Sequence, residues 1–201
     1  LGIPHIQAPS EGEAQASYMV KKGEAYATGS QDYDCLLFGS SILVRNLTSS
    51  EKRKLPKKQA YVAITPHMIR LQPSLKSLEI SHEQLVDMAI IIGTDFNDGV
   101  KGYGPKKSLS LIKKFGGIEK ALSEIKSPDM PTLEEIKQIR EIFLHPSTTD
   151  DYSLNWTIPD KDAVLKILCD KHQFSQERIE PIIEKFSIIK NIKKQKNLLD
   201  F

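Results

Sequence analysis

The chain predicts an α/β fold, a mostly parallel sheet with flanking helices followed by a helical subdomain. Two observations carry this prediction. Short runs rich in β-branched or small residues fall before about Thr65, whereas longer runs with helical periodicity fall after it. Glycines at 23, 93, 116 and 117 mark where successive helices should stop.

Taken in order, HIQAP (residues 5–9) reads as a short strand. Ser10 reads as an N-cap, with Glu13 closing a capping box, so a helix should run from about Glu11 to Lys22 and stop at Gly23. AYATGS is a second strand, and SILVRNL and QAYVAIT are two more. TSSEKRKLPKK between them reads as a polar, basic connection. From about Thr65 the pattern is helical. Ser81 and Gln84 give a second capping-box signal, opening a largely buried helix, HEQLVDMAIIIG, that ends near Gly93. Pro105 suits the first turn of the helix KKSLSLIKKF. Helices GIEKALSEI, LEEIKQIREIF, DKDAVLKILCDKH and SQERIEPIIEKFSIIKNIKK complete the chain.

The bulk numbers permit several function classes and exclude few. An apolar share of 39% supports a real core, and a net charge of only +2 requires any nucleic-acid binding to come from local clusters. Cys35 and Cys169 are too few and too far apart for a zinc site or a disulfide framework, which fits a reducing, intracellular setting. No apolar run reaches the length of a spanning helix. The residues LGIPHIQAP lack the regions of a signal peptide. Leu1 stands where an initiator Met would be, so the chain is expected to be a fragment or a processed product.

Five carboxylates in three clusters carry the chemistry: Glu11 and Glu13, Asp32 and Asp34, and Asp95. Carboxylates drawn together from distant segments repel unless a cation lies between them. Magnesium takes oxygen ligands and keeps several waters, so such a set suits it, and two such ions can hydrolyse a phosphodiester. Each cluster also has a plainer reading. Glu11 and Glu13 are favoured in a first helical turn by the dipole alone. Asp32 and Asp34, on one face of an extended segment, could form a solvated turn, although the small and apolar flanks argue against it. Asp95 follows the C-terminal end of a helix, where the dipole disfavours an anion. Asp98 reads as a turn residue of the Asn97-Asp98-Gly99 type.

GVKGYGPKKS follows Asp95. Gly102 and Gly104 would open a hairpin whose backbone N–H groups face a phosphate, and Lys106, Lys107 and Ser108 would add to the grip. The alternative is a tight turn with solvated lysines. Arg45, Lys52, Arg53, Lys54, Lys57 and Lys58 read as a solvated basic loop. Gln195, Leu198 and Phe201, at i, i+3 and i+6, would line up on one helical turn as a peptide for a groove, or else form a frayed tail.

In this order PSEGEAQA, SQDYDCLLFG, LVRNL with RKLP, and IIIGTDFNDGVKGYGPKKSL resemble the flap endonucleases of the XPG family, above all archaeal members. The resemblance spans nearly the whole chain. It implies a PIN-like or resolvase-like nuclease core and a structure-specific DNA nuclease of replication and repair, cutting 5′ flaps or acting as a 5′-exonuclease with two magnesium ions. Manganese could replace them. By resemblance Glu11, Glu13, Asp32, Asp34 and Asp95 are the metal-site carboxylates. Gly102 to Ser108 matches a helix–two-turn–helix motif that grips duplex DNA and holds potassium in relatives. Gln195, Leu198 and Phe201 match a tail motif for the sliding clamp, PCNA, with one aromatic where the family has two. Tyr103 replaces an aliphatic residue and Phe96 a Tyr. The implied regions are 1–80 (internal nuclease region), 81–125 (helix–two-turn–helix), 126–190 (C-terminal helices) and 191–201 (clamp tail). The family's N-terminal region, with two further aspartates, the first strand and a helical arch, has no counterpart here. The core is therefore expected to be incomplete and to need a separate N-terminal region as partner. The expected location is the cytoplasm of an archaeon, near the nucleoid. The competing expectation is a non-catalytic module that binds DNA junctions and the clamp.

Overall fold

The computed structural model describes residues 1–48, 52–54, 61–125, 127 and 129–189. Packing divides the chain into one unit of Ala8–Thr149 and another of Leu1–Gln7 with the segment from Asp150 onward. The four regions implied by the motifs do not coincide with these units.

In the larger unit, helix α1 is Gly12–Lys21 and its N-cap is Glu11, with no side-chain cap. The expected capping box from Ser10 to Glu13 is therefore absent, and Glu13 is free to point elsewhere. Gly23, at φ 77°, supplies the left-handed residue after the helix. Strand β1 is only Thr28–Gly29, and helix α2 is Asp34–Leu37. Strand β2, Ile42–Arg45, lies parallel to β1, with Thr28 opposite Leu43. Strands β3 (Lys52–Lys54) and β4 (Tyr61–Ala63) pair antiparallel as a separate ribbon. Strand β5, His67–Arg70, pairs antiparallel with β2, giving the order β1-β2-β5.

The sheet is thus small and mixed, not mostly parallel. The reason is β5, which lies in a segment whose sequence looked helical. It runs straight into helix α3, Leu71–Leu78. The basic connection also holds a strand, β3. The stretch expected as a strand at 5–9 forms no strand. Residues 1–8 alternate exposed and half-buried, as extended chain does, but Pro4 and Pro9 lack N–H donors and no ladder forms.

Helix α4, His82–Ile92, has the expected capping box: the Gln84 N–H donates to Ser81 Oγ (3.1 Å) and the Ser81 N–H to Gln84 Oε1 (2.8 Å). Helix α5, Pro105–Phe115, follows the glycine-rich segment and stops at Gly116, φ 81°. Helices α6 (Ile118–Ala121) and α7 (Leu133–Leu144) close the unit, the latter with a second capping box from Thr132 and Glu135. Ile90, Ile91, Ile112, Ile118, Ile136 and Phe143 are fully buried. Burying each such side chain contributes roughly 1.5–3 kcal/mol.

A buried charge ties three of these helices together. Asp87 of α4 accepts from the Ile118 N–H (3.0 Å) and from Arg140 of α7 (2.7 Å). Burial pushes its carboxyl up, and the Ile118 N–H and Arg140 pull it back. Arg140 also forks onto Glu119, which it holds below the usual carboxylate range.

The smaller unit contains α8 (Lys161–Leu165), a π-helical stretch (Lys166–Lys171) and α9 (Gln176–Ile189) around Val164, Ile179 and Ile183. Asp160 caps α8 through the Ala163 N–H at 2.9 Å. The Thr157 N–H donates to the Gly2 carbonyl at 3.0 Å. The residues expected as a clamp motif, Gln195, Leu198 and Phe201, lie outside the described residues.

Candidate metal centre

The fold brings the three acidic clusters to one place. A cleft of about 510 Å³ is lined by Glu11, Glu13, Asp32, Tyr33, Asp34, Phe38, Asp95 and Phe96. Every carboxylate singled out from the sequence is in it. Glu13 and Asp34 are half-buried, and Glu11, Asp32 and Asp95 are exposed.

Each segment is held by its own device. Helix α1 presents Glu11 and Glu13 from its N-terminal end, where the dipole favours anions. The helix packs through buried Ala14, and Ser17 Oγ donates to the Cys35 carbonyl at 3.1 Å, joining α1 to α2. Ser30 Oγ donates to Glu13 Oε1 (3.4 Å) and accepts from the Asp32 N–H (3.1 Å), so one hydroxyl links two clusters. Arg45 of β2 braces the loop: its Nε donates to the Gln31 carbonyl at 2.9 Å, and its guanidinium lies 4.0 Å from the centre of the Tyr33 ring. Asp34 then opens α2.

Asp95 sits on a turn beyond α4. The Thr94 N–H donates to the Asn97 carbonyl (2.9 Å), and Thr94 Oγ1 to Asn97 Oδ1 (2.8 Å). The Asn97 amide also donates to the Ile90 carbonyl (2.7 Å), satisfying an orphan acceptor at the helix end. Gly99, φ 74°, could take no side chain: a Cβ there would lie 2.3 Å from the Ile92 carbonyl oxygen. Asp95 therefore avoids the last helical turn while staying fastened to it.

The electrostatics record the crowding. Burial pushes the Asp34 carboxyl above its ordinary value, and Asp95, Asp32, Glu13 and Glu11 all push the same way. Burial and Glu13 also raise the neighbouring Cys35 thiol to about 11. Among the described residues no group of three His, Cys, Asp or Glu side chains would by itself hold a metal ion. The donor set around the cleft is nevertheless all oxygen and strongly anionic, and the mutual repulsion would be relieved by a hard divalent cation.

The glycine-rich segment joins α4 to α5. Gly102 has φ 87° and Gly104 is the N-cap of α5. Lys106 and Lys107 are exposed, and Lys107 Nζ reaches back to the Gly102 carbonyl at 3.0 Å. Ser108 is not available as a surface contact. It is fully buried, with a hydroxyl that finds no hydrogen-bond partner. Its place in the first turns of α5 turns it towards the core rather than outward.

Several site features escaped the sequence. Tyr33, Phe38 and Phe96 line the cleft, and Ser30 and Asn97 fasten its loops. Asn97 gave a signal as part of an Asx-rich turn, and Phe96 as a departure from the family's usual Tyr. A second groove of about 1340 Å³ shares Phe96 with the cleft and runs between the glycine-rich segment and the start of α7, past Lys101, Gly104 and Thr132.

Comparison with known proteins gives one consistent answer. The XPG I-region family matches residues 2–95. A curated relative, flap endonuclease 1 of Archaeoglobus fulgidus, is 49% identical over 191 residues, 95% of this chain and 56% of the relative. The solved flap endonuclease-1 from Methanococcus jannaschii superposes with a TM-score of 0.79 at 40% identity, over 95% of this chain and 55% of that one. Two more distant structures share the fold alone. They are the catalytic core of Rad2 in complex with DNA substrate (TM-score 0.69, 20% identity, 92% of this chain, 63% of that one) and GEN1 with product DNA and a Mg2+ ion (TM-score 0.54, 18%, 91% and 47%). The chain spans about half the length of the curated relatives it matches.

Proposed function

Since this chain belongs to the flap endonuclease branch of the XPG family, we propose that it supplies the C-terminal part of a structure-specific DNA nuclease. The proposed reaction is hydrolysis of a phosphodiester at a 5′ flap, assisted by two magnesium ions. The observation that carries this reading is the single cleft holding Glu11, Glu13, Asp32, Asp34 and Asp95. When bound, the ions would lower the pKa of a water and stabilise charge on the entering and leaving oxygens.

The chain's own residues do the positioning. Asp32, Asp34 and Asp95 are the proposed direct ligands. Glu11 and Glu13 would hold the first ion or orient its waters. Magnesium keeps several waters, so the carboxylates need not converge on one point. Manganese suits the same oxygen donors. The solved GEN1 complex, bound to product DNA and Mg2+, supports divalent metal and DNA for this fold.

The α4–glycine-rich segment–α5 unit is the proposed helix–two-turn–helix element. Gly102, Gly104, Lys106 and Lys107 would hold duplex DNA at a fixed distance from the metals, with potassium as a further ion there. The proposed partners are flap DNA and the sliding clamp.

The test is cleavage of a labelled 5′-flap DNA with and without magnesium. Magnesium-dependent cutting lost in Asp34→Asn would show that these carboxylates suffice. Binding without cutting would mean that these carboxylates do not suffice for catalysis. Failure to bind either flap DNA or magnesium would overturn the reading.

A further inference from the structure

Three phenylalanines from three separate segments meet beneath the acidic cleft. Phe143 of α7 is fully buried. Its ring centre lies 5.0 Å from that of Phe38, tilted by 48°, and 5.5 Å from that of Phe96, edge-on at 75°. Both neighbours line the cleft.

Each neighbour is coupled to one carboxylate. Phe38 is the C-cap of α2, and its N–H donates to the Asp34 carbonyl at 2.8 Å. Asp34 opens that same single turn, so a shift of Phe38 is a shift of Asp34. Phe96 directly follows Asp95, and its N–H donates to Thr94 Oγ1 at 3.1 Å. The turn is short and cross-bonded, so Phe96 and Asp95 move together. Asp34 and Asp95 come from distant parts of the chain, yet one side chain touches both of their carriers. Edge and tilted contacts between rings are directional, unlike aliphatic packing, and so define angle as well as distance.

We propose that Phe143 is a positioning residue for the candidate metal centre, fixing the separation of Asp34 and Asp95 by clamping Phe38 and Phe96. The proposal rests on the metal-site reading above. A group that orients ligands from behind typically changes metal affinity about 10- to 100-fold when removed.

The experiment compares Phe143→Leu with Ile136→Val, a fully buried change on the same helix. Phe143→Met, also apolar and unbranched, replaces the leucine variant if that fails to fold. Mn2+ binding is followed by electron paramagnetic resonance, and amide hydrogen exchange is followed at Phe38 and at Asn97, whose backbone N–H donates to the Thr94 carbonyl at 3.2 Å. The expected result is Mn2+ affinity about tenfold weaker or more in the Phe143 variant, with faster exchange at both amides together. Ile136→Val should change neither.

The proposal is overturned if the Phe143 variant weakens Mn2+ no more than Ile136→Val does. Loosening of only one amide, or of neither, overturns it as well. Should the unaltered chain bind no Mn2+, the metal reading fails, and the exchange comparison alone then decides whether Phe143 couples the two segments.

Discussion

Residues 8–149 and residues 150–189 bury their apolar side chains very differently. The first set closes over Phe143, Ile90, Ile112 and Ile136, each fully buried. Among the described residues the second has Val164, Ile179 and Ile183 as its buried core, and none of them is fully covered. It leaves Trp156, Ile158 and Phe174 at 50%, 57% and 55% exposure. The dense packing lies where carboxylates must be held against their own repulsion. A tight interior resists rearrangement because small displacements already forfeit contacts.

The strongest way to break this contrast is to cut into both cores. Phe143→Ala should cost about 3–5 kcal/mol, whereas Ile183→Ala should fall near the low end of its class, about 2 kcal/mol. Urea denaturation of the two variants measures the difference. An equal or reversed order would mean that the two interiors are equally tight.

Thiol chemistry sharpens the same contrast. Cys35 is fully buried and its thiol is raised from 9.0 to about 11, which leaves roughly a hundredfold less thiolate at a given pH. Cys169 is half-buried. One thiol should therefore react readily with a disulfide reagent in the folded protein and the other only on unfolding. Mass spectrometry should place the fast label at Cys169, and early labelling of Cys35 would show that the dense unit opens.

The smallest effect probes the acids. The Asp34 carboxyl is raised above 3.8, so the folded chain holds that proton more tightly than the unfolded one. Below the unfolded value both states are protonated and the site costs nothing. As pH rises through the folded value, stability is lost. Asp34→Asn should thus stabilise the metal-free chain at neutral pH, by less than about 1 kcal/mol because solvent screens the site. That gain should fade as the pH falls towards 4. Melting in a chelator at several pH values checks it, and a destabilised variant at neutral pH would contradict the crowding.

Much of this arrangement was legible in the sequence where signals were local. The Ser81–Gln84 box and the Pro105 start involve residues within one turn, and both helices begin there. The five carboxylates were legible through their order along the chain and its resemblance to a family. What could not be read was pairing between distant segments. Strand β5 has only four residues, and its identity depends on β2, which is far from it in sequence. Residue 10 was a plausible cap, but the helix took Glu11, so the sequence placed Glu13 in a role it does not have. The meeting of Phe38, Phe96 and Phe143 leaves no local trace, since each phenylalanine alone looks like any core residue.

Helix α4 has a consequence for how this chain can change over time. Gln84 near its start donates to the Gly116 carbonyl at 3.0 Å, and Ile90 near its end receives Asn97. Both ends are thus pinned to loops that must stay in register. Losing one residue between them would shorten the span by about 1.5 Å and swing the Asp95 turn by about 100°. Insertions and deletions should therefore be purged from residues 82–92.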